Sequence, residues 1–300
     1  MNRKFNIQAT LIAISALLLW SMGPNFVKFL TNYLDMWTQN LLRYSAACLF
    51  WLPFLLFSIK SKKLDASVWK KALIPAILNI IMQCLFAGTF YYLDPAFTVL
   101  LSKSSIIWIA GFSLVFFAQE RELLKSKLFW TGMLFSIIGV VGVLCFKQGF
   151  AAKKTLTGII MALTMAFFWG AYLISVKIVF KDIDSRSSFS VITIYTVAGF
   201  CVLTSLFGNP AACLKMPMWP WACVAISGIL SIALAHVLYY SAMKRIGVTI
   251  PALIVLAQPF LVLAVSSVFF DESLNSLQWI FGIVLLAGCA LAIWSQKNLR

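Results

Sequence analysis

The sequence predicts an all-α polytopic membrane protein of ten transmembrane helices, arranged as two inverted five-helix repeats. Three observations carry that prediction. Of 300 residues, 62% are hydrophobic and only 11% are charged, with a mean hydropathy of +0.95. A soluble domain is nearer a quarter charged, so this chain has too little polar surface to face water all round, and its solvent is the lipid bilayer. Ten apolar stretches reach the ~20 residues needed to cross ~30 Å of hydrocarbon. The chain also repeats itself. A shift of about 152 positions lays Trp69 on Trp221, Pro95 on Gly247 and Glu120 on Glu272, and one of about 149 lays Trp20 on Trp169 and Lys28 on Lys177.

Taken in order, the expected spans are 7–30, 37–57, 69–92, 96–118, 128–146, 156–180, 189–207, 219–243, 249–270 and 276–294. The N-terminal apolar run is too long for a signal peptide and passes through Gly23–Pro24 without a small-x-small cleavage site, so it is expected to stay as the first span. Five spans per copy is an odd number. The second copy (151–300) therefore enters the membrane from the side opposite to the first (1–150), which inverts the repeats. Orientation follows from Lys and Arg outside the spans. With a cytoplasmic N-terminus, sixteen lie inside and five outside (Lys28, Lys147, Lys153, Lys154 and Lys215), so both termini are expected in the cytoplasm of a bacterial cell, with the chain in its inner membrane.

Several function classes drop out. The net charge of +15 is spread over short loops rather than along one face, which speaks against nucleic acid. The seven cysteines show no CxxC pairing, so neither a metal site nor a disulfide framework is expected. There is no GxxxxGK[ST] for ATP and no HExxH, and no carboxylate lies at mid-span for an intramembrane enzyme. No cofactor is implied. A non-transporting receptor or assembly protein and, less favoured for want of a catalytic constellation, an intramembrane enzyme are the other classes left open; a receptor seldom needs a duplicated architecture.

Two stretches carry a family likeness: LLWS near the end of span 1, and YYSAMKRIGVTIPALIVLAQPFLVLAVSSVFFDE over residues 239–272. In the second, a short turn leads into a span that contains a proline and closes on an acidic residue. The chain resembles the EamA-like branch of the drug/metabolite transporter superfamily over its whole length. The first copy departs from the pattern: FYYLDPAF replaces the turn, and Lys103 and Ile107 stand where the second copy has Val255 and Pro259. The resemblance implies a secondary carrier that exports a small organic metabolite such as an amino acid. It also implies a central cavity among spans 1–4 and 6–9, with spans 5 and 10 peripheral.

Within that frame certain residues are candidates to bind a small-molecule substrate. Most tryptophans sit near span ends as interfacial anchors, but Trp20 and Trp169 lie deeper and at equivalent places. They are either aromatic walls for an apolar or ring-bearing substrate or packing groups. Gly23–Pro24 should bend span 1 and free a carbonyl, within reach of Asn25. Lys103 lies about 12 Å inside span 4, where a cation costs about 2.5–3.5 kcal/mol. It reads as a countercharge for a carboxylate or phosphate, or as a snorkelling lysine. Arg43 and Lys177 read as structural, able to reach an interface. His236, the only histidine, offers proton coupling or a substrate hydrogen bond, or is a neutral imidazole on a backbone carbonyl. Tyr239 is beside it and Tyr172 beside Trp169. Asn79, Gln83 and Gln258 are intramembrane amides, each either interhelical glue or a ligand. With no mid-span carboxylate, the cavity suits neutral, zwitterionic or anionic solutes rather than cations. Ala162, Ala166 and Gly170 in span 6, and Ser136, Gly139 and Gly142 in span 5, read as close-packing positions.

Overall fold

The computed structural model describes residues 7–61, 64–117, 121, 124–147, 152–181, 183–246 and 249–298, and every regular element among them is helical. Glu120, Glu122, Asp182 and Gly247, with the basic residues Arg3, Lys4, Lys62, Lys63 and Arg300 used above for orientation, lie outside the described residues. Nine of the described helices are long and apolar enough to cross a membrane, and Leu73–Thr89 is a shorter tenth.

Span 1 is one helix, Ile7–Leu30, and span 2 is Met36–Lys60. Span 3 comes in two pieces, Ser67–Lys71 and Leu73–Thr89. Pro75 explains the joint, because it has no N–H for the Lys71 carbonyl and its ring crowds that oxygen. Span 4 is divided into Pro95–Ser102 and Ser105–Phe116, and span 9 into Thr249–Val255 and Gln258–Phe269. Span 5 is Lys127–Cys145, span 6 Lys153–Val179, span 7 Ser185–Phe207 and span 10 Ser276–Asn298. Span 8 runs from Met218 to Ile246 and passes through a π-helical stretch at Ser227–Leu234.

The duplication extends to the helix caps. Asp35 accepts from the backbone N–H groups of Trp37 and Thr38 at 2.9 Å each and so caps span 2. Its counterpart Asp184 accepts from the N–H groups of Arg186 and Ser187 and caps span 7. These are the orphan donors that every helix start leaves unsatisfied. The carboxylate of Glu272 accepts from Ala96 N and Phe97 N, both at 2.8 Å, and so holds the first turn of span 4 from the loop between spans 9 and 10. Glu272 is thus a helix-end feature, as its place in the sequence implied.

Spans 5 and 10 pack against each other backbone to backbone. A Cβ on Gly139 would lie 2.4 Å from Leu285 N, and one on Gly288 would lie 2.4 Å from Ser136 N. Their other faces expose Leu134, Ile137, Val141, Ile280 and Ile283, the surface a lipid-facing pair needs. Span 6 uses its small residues in the same way: Ala162 and Ala166 are fully buried, and Gly170 sits against the backbone of Trp108 and Ile109 in span 4. The remaining eight spans enclose the polar interior.

Candidate functional site

Spans 4 and 9 are interrupted at the same level, by different chemistry. In span 9, Pro259 removes one helical donor and crowds the carbonyl four residues back. The turn tightens there, with Leu256 N bonded to Leu253 O and Ala257 N to Ile254 O, both at 3.2 Å. Span 4 has Ile107 at the equivalent place, so no proline acts. Serines do it instead. Ser102 Oγ donates to Val99 O at 2.6 Å and Ser104 Oγ to Leu101 O at 2.7 Å. The backbone at Lys103 and Ser104 closes tight bonds to Leu100 O and Leu101 O. Side-chain hydroxyls that compete for helical carbonyls loosen the regular ladder.

Between the two interruptions lies a cavity of about 120 Å³. Trp20, Gly23 and Pro24 line it from span 1, and Arg43 from span 2. Span 3 supplies Met82, Gln83 and Phe86, and span 4 Val99, Ser102, Lys103 and Ser105. From the second repeat come Met165 and Trp169 (span 6), Ser231, Ile232 and His236 (span 8), and Val255 and Gln258 (span 9). No residue of spans 5, 7 or 10 contributes.

Gln258 is the link between the halves. Its Oε1 accepts from Lys103 Nζ at 2.8 Å, and its Nε2 donates to Trp20 O at 3.3 Å. Trp20 O is the carbonyl that Pro24 leaves without a helical donor. The side chain of one repeat therefore repairs the proline of the other, and span 1 is a single helix through Gly23–Pro24. Asn25 does not reach that carbonyl. It is buried beside the cavity rather than in its wall, with both amide atoms unpartnered.

On one side of the cavity the aromatic residues form a cluster that includes part of its wall. Trp20 meets Trp169 edge-on at 5.9 Å and Tyr239 at 4.7 Å, and Phe189 stacks on His236 at 5.0 Å. Tyr172 and Tyr240 share a hydroxyl–hydroxyl bond of 2.7 Å. His236 is buried; its Nδ1 lies 2.9 Å from Ile232 O and 3.4 Å from Trp20 Nε1, while its Nε2 is buried with no partner. The ring thus sits on a backbone carbonyl and still has one ring nitrogen to spare.

Of the sequence candidates, the structure brings Trp20, Gln83, Lys103, Trp169, His236 and Gln258 to one cavity. It keeps Asn25, Asn79, Tyr172 and Tyr239 out of the wall. Asn79 is interhelical glue, donating to Thr196 Oγ1 at 3.0 Å and bonded to the Tyr44 hydroxyl. Tyr172 is spent on Tyr240, and Tyr239 packs behind Trp20. Arg43 is the reverse case. It does not reach for an interface: it is 2% exposed, borders the cavity, and donates from Nε to Ser227 Oγ at 3.1 Å. Lys177 lies over the Phe117 ring at 4.0 Å, away from this site.

A model of the EamA-like transporter family matches residues 7–145 and, again, residues 156–294. The chain belongs to the EamA-like transporter family. This EamA-like protein is 20% identical to a Haemophilus influenzae protein described as an uncharacterized transporter, over 96% of this chain and 97% of that one. A crystal structure of another protein superposes with a TM-score of 0.67 at 18% identity, covering 99% of this chain and all of that one, and so shares the fold. The EamA-like chain is a multi-pass membrane transporter.

Proposed function

We propose that this transporter is a secondary carrier that exports a small organic metabolite, such as an amino acid or a similar amphipathic compound, by alternating access of its inverted repeats. Its setting in this reading is the inner membrane of a bacterial cell, with both termini cytoplasmic. The observation that carries the proposal is the position of the cavity: walled by both repeats and placed between the paired interruptions of spans 4 and 9. Helices broken at a binding site, in corresponding places of two halves, are how inverted-repeat carriers expose one site to two sides in turn. Apolar and aromatic walls with a few polar groups suit a metabolite rather than a bare ion. No catalytic step enters this reading. The spare Nε2 of His236 makes it the candidate group for proton coupling.

The test is transport by purified protein in liposomes across a panel of amino acids and related organic acids, with and without an imposed pH gradient. Substrate-specific flux above empty vesicles is expected. Flux equal to empty vesicles across the panel would overturn the carrier reading; flux indifferent to the gradient would remove the proton.

A further inference from the structure

Resting on the carrier reading and narrowing it, we infer that Arg43 anchors the anionic group of the substrate, and that the cavity takes organic acids of net negative charge with a flat apolar body. The argument begins with charge. Among the described residues the wall holds two cations, Arg43 and Lys103, and no Asp or Glu. Neither cation forms an ion pair among the described residues; the ion pairs present there involve Asp94 and Asp184 at the span ends. An unpaired guanidinium inside a membrane bundle is costly, and such groups mark substrate paths.

The two cations are not equivalent. Lys103 is engaged by Gln258, so its charge is partly met by an amide oxygen. Arg43 has only Ser227 on Nε, and its Nη1 is buried with no partner. The fold goes to some length to hold it there. Gly228, in the π-helical stretch of span 8, lies so close to span 2 that a Cβ on it would sit 2.5 Å from Arg43 O. That approach brings Ser227 to the guanidinium, where its hydroxyl accepts from Nε and leaves Nη1 without a partner among the described residues. A planar, pre-oriented guanidinium with a spare N–H is the donor set a carboxylate accepts from two sides. The rest of the wall asks for a ring: Trp20, Trp169, Phe86 and Ile232 supply flat and apolar surface. No carboxylate among the described wall residues pairs an ammonium, while two cations meet an anion, so a net anion is preferred over a zwitterion.

Calorimetric titration of the full chain in lipid nanodiscs tests this with four matched probes: 3-phenylpropionate, 3-phenylpropanamide, phenylalanine and phenethylamine. The anion is expected to bind about tenfold or more tighter than the amide, as one good charged contact allows, and the amine is expected to bind last. Arg43→Gln should bring the anion-to-amide ratio to about one. If that variant does not fold, Arg43→Lys keeps the charge without the fork and should keep the preference for the anion at lower affinity. The amide or phenylalanine binding as well as the anion, Arg43→Gln leaving the ratio unchanged, or no probe binding at all would each overturn the inference. Liposome flux separates the two readings. Binding of the anion without flux of any solute keeps the anion site and fails the carrier, whereas flux without charge preference does the reverse.

Discussion

Asp35 and Asp184 offer a stability measurement with its control built in. Both cap the second helix of their repeat, yet Asp35 does more. Its Oδ2 accepts from the Thr38 hydroxyl at 2.6 Å and from Asn209 N at 2.8 Å, and Asn209 belongs to the loop between spans 7 and 8. Asp184 spends its remaining capacity on the exposed side chain of its own Arg186. Losing a cap costs about 1 kcal/mol. Losing an additional hydrogen bond to a charged acceptor adds roughly 1.5 kcal/mol or more. Asp35→Ala should therefore lower stability by about 2–4 kcal/mol and Asp184→Ala by about 1 kcal/mol. With about 2–4 °C per kcal/mol in a chain of this size class, the apparent melting temperature in detergent should fall by about 4–16 °C in the first and about 2–4 °C in the second. The pH dependence sharpens the test. Partial burial alone would raise the Asp35 pKa, but the bonds from Thr38, Asn209 and Trp37 outweigh it and hold the pKa below the usual 3.8. A depressed pKa stabilises the folded state above 3.8, and that contribution is lost as pH falls through the folded value. Wild type and Asp35→Ala should thus differ fully at pH 7 and converge below about pH 4. Equal losses for the two aspartates, or a gap that persists in acid, would refute the reasoning.

Three other outcomes are expected. Gly288→Ala places a methyl 2.4 Å from Ser136 N, so the backbones of spans 5 and 10 must separate; overpacking of this kind costs about 1–3 kcal/mol, readable as a fall in thermal stability with the substrate site unaltered. Burial raises the Glu272 pKa, with the bonds from Ser266, Ala96 and Phe97 offsetting part of it. Its contribution to stability should therefore decline as pH rises from 4.5 through the raised folded value, and Glu272→Gln, which keeps one acceptor oxygen, should destabilise less than Glu272→Ala. Gln258→Leu removes both the partner of Lys103 and the donor to Trp20 O. Liposome flux should fall about tenfold or more if those two bonds, together worth about 1.5 kcal/mol or more, hold the transport-competent site.

The spans were legible because lipid imposes a length and a composition that few soluble helices meet; span 1 is predicted and found at 7–30. Interruptions were legible only where a proline makes them. Pro259 announces the break in span 9, but the break in span 4 is written in Ser102 and Ser104, whose hydroxyls are ordinary mid-membrane residues until their bonds are seen. Pro24 frees the carbonyl the sequence expects, but the group that meets it is a glutamine 234 residues away in sequence and not the neighbouring Asn25. Arg43 was expected to reach an interface and instead points inward, because depth along a helix says how far a side chain is from the interface, not which way it points. Asn79 fails for the same reason: an intramembrane amide needs a partner, and the sequence does not say whether that partner is Thr196 or a ligand. The π-helical stretch at 227–234 has no proline or other local signal, and without it Ser227 would not be placed against Arg43. The paired caps, by contrast, were available: Asp35 and Asp184 stand at the same offset as Trp20 and Trp169.

Interrupting spans 4 and 9 beside the cavity gives each of them two short rods joined by a tight turn. A rod of one or two turns can tilt about such a joint while its other half stays seated against its neighbours. The outer ring, with spans 5 and 10 locked together through their glycines, need not slide against the surrounding hydrocarbon when that happens. In a carrier of the kind proposed, spans 5 and 10 would then stay seated on each other as one unit through a cycle while the joints of spans 4 and 9 take up the movement.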